Sequence, residues 1–471
     1  MNLTPDSAKF DQMTVTLAKE KVAARFPEAI ARLGSLVRIP GIAWDAFPAE
    51  DLERSAEAVA ELLRSTEVFE LVEIRRAAYG DGQVGAPAVV ARRAAKNGRP
   101  QILLYAHHDV QPPGDQSDWN TPEFEPTLVD GRIFGRGAAD DKAGIVSHLT
   151  AIESLVDLVG PNFEVGLSVF VEGEEEAGSP SFRAFLEANR DVLQADVIIV
   201  ADSANWTTTV PALTTTLRGL VSQELEVRTL DHAVHSGMYG GPIPDAMTAT
   251  IKLLATLHDD QGNVAVRGLI QGKASELEYD EATLRTDSGL LDGVELIGEG
   301  SILDRIWTKP SIAVIGIDGM TVAKSSNTML PSVKAKVSMR IAPGQEPAEA
   351  LAALRQHLTE NAPWGAKVEF GAIELGKPFK ADDSGWAKQL AGAALSAAFD
   401  NEVVDIGIGG SIPFIADLVE VFPAAQILVT GVEDADSRAH SPNESVHLDT
   451  LRGAMVAETL LLAKGNDLRV N

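Results

Sequence analysis

The stretch LLYAHHDVQP, residues 103–112, sets two histidines and an aspartate in a row where an apolar run ends. Histidine is scarce here, nine residues in 471, and buried imidazoles at a strand end are costly unless a partner or an ion holds them. The run is short and apolar, the pattern of a strand buried on both faces. Runs of the same kind recur as AVVARR at 88, EVGLSVFVE at 164, DVIIVAD at 196 and AQILVTG at 425. Helical periodicity precedes, interrupts and follows them, over residues 12–38, about 143–159 and about 447–464, and that alternation predicts an α/β domain with a mixed sheet and covering helices.

Between Asp202 and the run at 425 the texture changes. LVSQELEVRT and VKAKVSMRIA alternate strictly, and the second puts Val333, Ala335, Val337, Met339 and Ile341 on one face. Such strands suit an antiparallel sheet covered on one side, with helical patterns near 246–258 and 346–361 to cover it. The expected organisation is therefore a discontinuous catalytic domain, 1–205 and 379–471, interrupted at 206–378 by a smaller α+β lid or dimerisation domain.

Composition narrows the function. With 40 Lys and Arg against 68 Asp and Glu the formal net charge is −28, which repels phosphate backbones and anionic lipid, so neither nucleic acid nor a membrane is expected as partner. The sequence shows no signal-peptide pattern and no run of membrane-spanning length, which points to the cytoplasm. Cysteine is absent, which removes disulfides, thiolate sites and a cysteine nucleophile and leaves any metal to His, Asp and Glu. GDGQVG at Gly80–Gly85 has dinucleotide-loop spacing but precedes a strand, so it reads as a turn, and serine-hydrolase, nucleotide-loop and H-E-x-x-H motifs are missing.

Polar clusters survive at the strand ends. His107 and Asp109 lie two apart, so they project to one side while His108 points away; the aspartate can orient an imidazole ligand. FGRGAADDKAG places Asp140 and Asp141 at a helix start, where an acidic cap is the ordinary reading. VEGEEEAGS puts three glutamates directly after a buried strand, where crowded carboxylates repel one another unless a cation stands between them. Asp202 closes DVIIVAD, and His440 sits in SRAHSPNE after the run at 425. All five elements fall at the carboxyl ends of strands, where α/β sheets collect ligands. Two His with several carboxylates and a Glu to spare is an inventory for two metals and a base.

In their order, H-x-D, G-R-G-x-x-D-D-K, E-G-x-E-E-x-G-S, a lone D, H-S-G and a late A-H-S, these motifs resemble the M20 metallopeptidases over residues 100–445. TLRGL at 216–220 and HSGMYGGPIPDAM at 235–247 look most like the cytosolic dipeptidase and carnosinase branch. The resemblance implies two divalent ions, zinc first with manganese and cobalt compatible. Asp140 would bridge them, His107 and Asp202 completing one site and Glu176 and His440 the other. It implies Glu175 as general base, Asp109 orienting His107, and a cis peptide between Asp140 and Asp141. His235, Asn327, Arg340, Gly409, Gly410 and Ser411 match substrate-binding positions, His235 reaching a partner's site in a homodimer joined through the lid.

The implied reaction is hydrolysis of dipeptides with a free C-terminal carboxylate. One departure bears on the substrate: Gly407 and Ile408 stand where the branch carries Arg-Glu, a Glu suited to a free amino group. N-acyl amino acids are thus the alternative substrate, as for acetylornithine deacetylase or succinyl-diaminopimelate desuccinylase types. A non-catalytic, metal-stabilised binding protein is the remote one.

Overall fold

The computed structural model describes residues 9–80, 82–382, 385–410 and 413–470. Ten strands build the two main sheets: β1 (Leu71–Arg75), β2 (Ala88–Arg93), β3 (Gln101–His107), β4 (Gly166–Glu172), β5 (Val197–Val200), β6 (Gly219–Arg228), β7 (Ser311–Asp318), β8 (Ser332–Ile341), β9 (Lys367–Gly376) and β10 (Gln426–Val429). The main helices are α1 (Gln12–Val37), α2 (Ala49–Ser65), α3 (Lys142–Val159), α4 (Ala246–Ala255), α5 (Pro347–Glu360), α6 (Trp386–Phe399) and α7 (Leu448–Asp467). None of the described helices is long and apolar enough to cross a membrane.

Two compact units divide the chain. The first takes Met1–Thr215, Ala381–Ile406 and Asp417–Asn471; the second takes Thr216–Lys380 and Gly407–Ala416. These limits differ from those read in the sequence. Residues 206–215 belong with the first unit because Asn401 Nδ2 and Thr450 Oγ1 donate to Thr209 O and Thr208 O, and Ala212 N donates to Asn205 Oδ1. Gly407–Ala416 belongs with the second, where Arg218 Nε donates to Gly409 O at 2.9 Å.

In the first unit the strand order is β1-β2-β4-β3-β5-β10. The four strands β4, β3, β5 and β10 run parallel, and β1 and β2 add an antiparallel edge. The parallel strands are buried almost throughout, which explains their continuous apolar runs. Helices α1, α3, α6 and α7 share one core with this sheet.

Helix α3 is buried along most of its length, polar residues included, and its charged residues are partnered, as burial requires. Lys142 Nζ donates to Leu36 O and Ile39 O at 2.9 and 2.7 Å, closing the end of α1. His148 Nδ1 lies 2.8 Å from Glu458, and Glu153 accepts from Arg25 and Arg32. Asp141 starts the helix by accepting from Gly144 N.

The second unit carries the antiparallel sheet β7-β8-β6-β9. The alternation read in the sequence appears as burial: Val333, Ala335, Val337, Met339 and Ile341 join Val221, Leu225 and Val227 against α4 and α5. In this sheet β8 and β6 are inner strands, and the edges are β7 and β9. On the buried face Gln223 is fully enclosed; Arg355 Nε donates to its Oε1 at 2.7 Å, and its Nε2 donates to Gly371 O and Ala372 O. Around the turn read from GDGQVG, Gly80 and Gly82 take positive φ between two short paired strands.

Gln223→Ala should cost about 1–3 kcal/mol, because it strands the half-buried Arg355 donor and the carbonyls of Glu224, Gly371 and Ala372. Ser222→Ala should stay within about 0.5 kcal/mol, since the buried Ser222 Oγ has no partner among the described residues. Urea midpoints of the two variants check the contrast; equal losses would contradict it.

Candidate metal centre

Neighbouring parallel strands deliver the site. His107 is the last residue of β3, the 174–176 glutamates follow β4, Asp202 follows β5, and the loop holding His440 follows β10. Asp140 arrives from the turn before α3, through a peptide to Asp141 that is cis. Two groups of donor atoms result, His107 with Asp140 and Asp202, and Asp140 with Glu176 and His440, each drawn within 4.8 Å.

Asp140 belongs to both groups, and its two oxygens diverge. Oδ1 lies 2.9 Å from His107 Nε2, and Oδ2 lies 3.1 Å from His440 Nε2, which is also 3.1 Å from Glu176 Oε2. His107 Nδ1 lies 3.0 Å from Asp109 O and donates to it in the neutral ring, so Nε2 presents a lone pair to a carboxylate oxygen. That arrangement needs a proton or a cation between the two atoms. Ligand atoms about 2.1 Å from one ion stand roughly 3–3.4 Å apart, so the donor set fits divalent ions.

Electrostatics agree. Burial pushes Asp202 up to about 7, with Asp140 and Glu176 adding repulsion against the pull of His107. Hydrogen bonds to Asp140 and Glu176 lift His440 to about 11. Burial works against ionisation of Asp140, yet His107 and His440 hold it below the usual range. Without added cations the imidazoles supply the positive charge that this cluster demands.

The three consecutive glutamates have different surroundings. Glu174 accepts from Ala86 N and Ser181 N, both at 2.8 Å, and tethers the loop. Glu176 faces His440 and accepts from Gln111 Nε2 at 2.7 Å and Gln111 N at 3.2 Å. The Glu175 carboxylate receives no hydrogen bond from the described residues; burial, tempered by His107 and reinforced by Asp202, Glu172 and Glu176, holds it well above the usual range. A Cβ at Gly173 would meet Pro87 O at 2.2 Å, so only glycine lets the strand turn here.

Asp109, expected to orient His107, also ties two segments together. Its carboxylate lies 3.4 Å from His107 Nδ1 but accepts from Glu175 N at 3.2 Å and Glu176 N at 3.0 Å, so it joins the His107 strand end to the glutamate loop. His108 is turned away: fully buried, it donates from Nε2 to Pro87 O, and burial lowers it to about 4, which keeps it neutral.

The positions matched to substrate binding lie in the second unit. His235 is exposed and pairs with Thr328, and Ser236 N donates to Asn327 O at 2.9 Å. Arg340 is half-buried on β8. Gly409 is held by Arg218, which also donates to Arg305 O, Lys309 O and Ser311 Oγ. Ser411 lies outside the described residues. Sequence reasoning missed Gln111, Arg218 and Glu433; Glu433 is half-buried, and burial together with Asp140 and Asp202 raises its carboxyl. Gln111 and Arg218 lie inside quoted stretches, LLYAHHDVQP and TLRGL, whose spacing gave them no role, and Glu433 follows the same strand as His440.

The model of peptidase family M20/M25/M40 matches residues 103–463, a span that holds every donor above. The chain belongs to this family. Over 77% of this chain and 80% of the relative, it is 35% identical to the cysteinylglycine-S-conjugate dipeptidase of Corynebacterium striatum. It is 26% identical to the beta-Ala-His dipeptidase of Rattus norvegicus over 77% of this chain and 76% of that one. Among solved structures, the di-peptidase Dug1p of Saccharomyces cerevisiae superposes with a TM-score of 0.74 at 21% identity, covering 96% of this chain and 99% of that one. The protein is thus an M20-type peptidase.

Added zinc, manganese or cobalt should raise the Tm of the chelated protein, by the equivalent of about 2.7 kcal/mol at a hundredfold excess over Kd. Thermal scans against ion concentration check this; an unchanged Tm for all three would contradict the fit.

Proposed function

We propose that the protein is a metal-dependent dipeptidase that hydrolyses dipeptides with a free C-terminal carboxylate. The observation that carries this reading is the divergent Asp140 carboxylate, one oxygen toward His107 and the other toward His440. His107 and Asp202 would hold one ion and Glu176 and His440 the other, with Asp140 shared. Bound there, the ions would supply Lewis-acid polarisation of the scissile carbonyl and acidify a water.

Glu175 is the base. Its carboxylate is free of hydrogen bonds from the described residues and has a raised proton affinity, so it takes a proton from the attacking water and returns it to the leaving nitrogen. Asp109 keeps the Glu175 and Glu176 backbones in register with His107. The resemblance assigns His235 to the oxyanion, Arg340 to the substrate carboxylate and Asn327, Gly409, Gly410 and Ser411 to further substrate contacts. Arg suits that role because its planar fork matches a carboxylate. The dipeptidases among the relatives support the substrate class.

A second reading, an N-acyl-amino-acid amidohydrolase, is favoured by Gly407 and Ile408. A Cβ at Gly407 would lie 2.6 Å from Thr216 Oγ1 and 2.8 Å from Trp307 Cβ, so this backbone excludes the branch's arginine, and Ile408 offers no charge to an ammonium.

We also assign a homodimer to the second unit. Its edge strand β7 exposes Val314, Ile315 and Ile317, followed by Met320 and Val322, an apolar edge that a second copy could extend across a twofold axis.

Glu175→Gln should retain both metals and lose about 10²–10⁴-fold in kcat, whereas Glu176→Gln should lose one metal as well. Metal analysis beside turnover checks the pair, and the reverse pattern would move the base by one residue. Ile315→Asp should convert a dimer into a monomer in light scattering; wild-type protein that is monomeric at micromolar concentration would refute the dimer. Dipeptides with bulky apolar first residues should be preferred to glycine-first ones, and Ile408→Glu should shift preference toward basic amino ends by about 1–3 kcal/mol. Measured kcat/KM for matched free and N-acetylated dipeptides decides the substrate class, and equal or faster turnover of the acetylated compounds would favour the amidohydrolase.

A further inference from the structure

Glu444 is fully buried, four residues beyond His440, and its carboxylate collects four donors. Oε2 accepts from Arg136 Nη1 at 2.6 Å and Gly137 N at 3.0 Å, and Oε1 accepts from Ala139 N at 2.9 Å and Asp140 N at 3.1 Å. A buried carboxylate needs compensation, and here most of it comes from the backbone of the segment that presents Asp140. The main chain repeats the attachment: Gly135 N donates to Glu444 O at 3.0 Å, and Ser445 pairs with Phe134.

His440 itself is not fixed by packing. Its side chain is 58% exposed and its φ is +61°. The loop is pinned just beyond it, where Asn120 N donates to Asn443 Oδ1 at 2.7 Å and Asn443 Nδ2 donates to Asp118 O at 2.9 Å, and then at Glu444. One short loop therefore supplies His440 and also grips the backbone of Asp140.

We propose that Glu444 is a positioning residue that sets the separation between the shared carboxylate of Asp140 and the imidazole of His440. This rests on reading Asp140 as ligand to both ions. Glutamine at this position has one oxygen only, so whichever way its amide turns, a pair of inward-pointing donors faces an NH₂ group. The Asp140 backbone must then shift, and both ion sites share the consequence.

The test is a titration of chelated protein with cobalt(II) alone, followed by calorimetry and by visible absorption, whose bands report ligand geometry, together with kcat and KM on a dipeptide. Wild-type protein should take two cobalt ions per chain. Glu444→Gln should weaken both sites about 10- to 100-fold, alter the absorption bands and lower kcat with KM held within about threefold. Glu458→Gln, which breaks another buried carboxylate contact, with His148, should lower Tm while leaving the titration and bands as in wild type. If Glu444→Gln does not fold, Glu444→Asp carries the test, because it keeps the charge but cannot reach both donor pairs; the same weakening is expected. Wild-type affinity and bands in the folded variant overturn the proposal alone. Absence of cobalt sites in wild type overturns the two-ion reading with it.

Discussion

The Asp140 carboxylate is held between two imidazoles, with Oδ1 at 2.9 Å from one and Oδ2 at 3.1 Å from the other. A carboxylate can serve two partners in this way only if its backbone is fixed and both partners approach from opposite sides. The first unit meets both conditions. Adjacent parallel strands end in His107, the glutamate loop and Asp202, and the chain after β10 returns with His440. The cap at the start of α3 and the grip of Glu444 hold Asp140 where those strand ends converge.

Charge explains why so much of the fold is committed to this point. Asp140, Asp202, Glu175, Glu176 and Glu433 repel one another at the strand ends, and burial raises three of them, Asp202, Glu175 and Glu433. Such a cluster costs stability unless cations enter it. The neighbouring buried groups are instead neutralised locally: Glu444 by Arg136 and backbone amides, Lys142 by two carbonyls. The uncompensated negative charge is thereby concentrated where a metal peptidase needs it.

Much of this was legible in the sequence because it is local. Apolar runs of strand length betrayed β3, β4 and β5, strict alternation betrayed β8, and the donors stand within a few residues of those strand ends. Other features depend on chain segments meeting across long separations. Glu444 meets Ala139 and Asp140 across about three hundred residues, Gln111 meets Glu176 only through the sheet order, and Arg218 finds Gly409 on a segment that follows the first unit's α6. No periodicity announces such contacts. The Gly407 position reads in the sequence as a missing arginine, whereas the packing of Thr216 and Trp307 makes it a steric requirement. Sheet order likewise decides which strands form the edges of the second sheet, here β7 and β9.

The central claim is that one carboxylate is shared by two ions. Crystals of the protein grown with zinc or manganese, measured at the metal absorption edge, would locate the ions by anomalous scattering. The account predicts two peaks, one contacting His107, Asp140 and Asp202 and the other contacting Asp140, Glu176 and His440. A single peak at full occupancy, or two peaks of which only one touches Asp140, would contradict it.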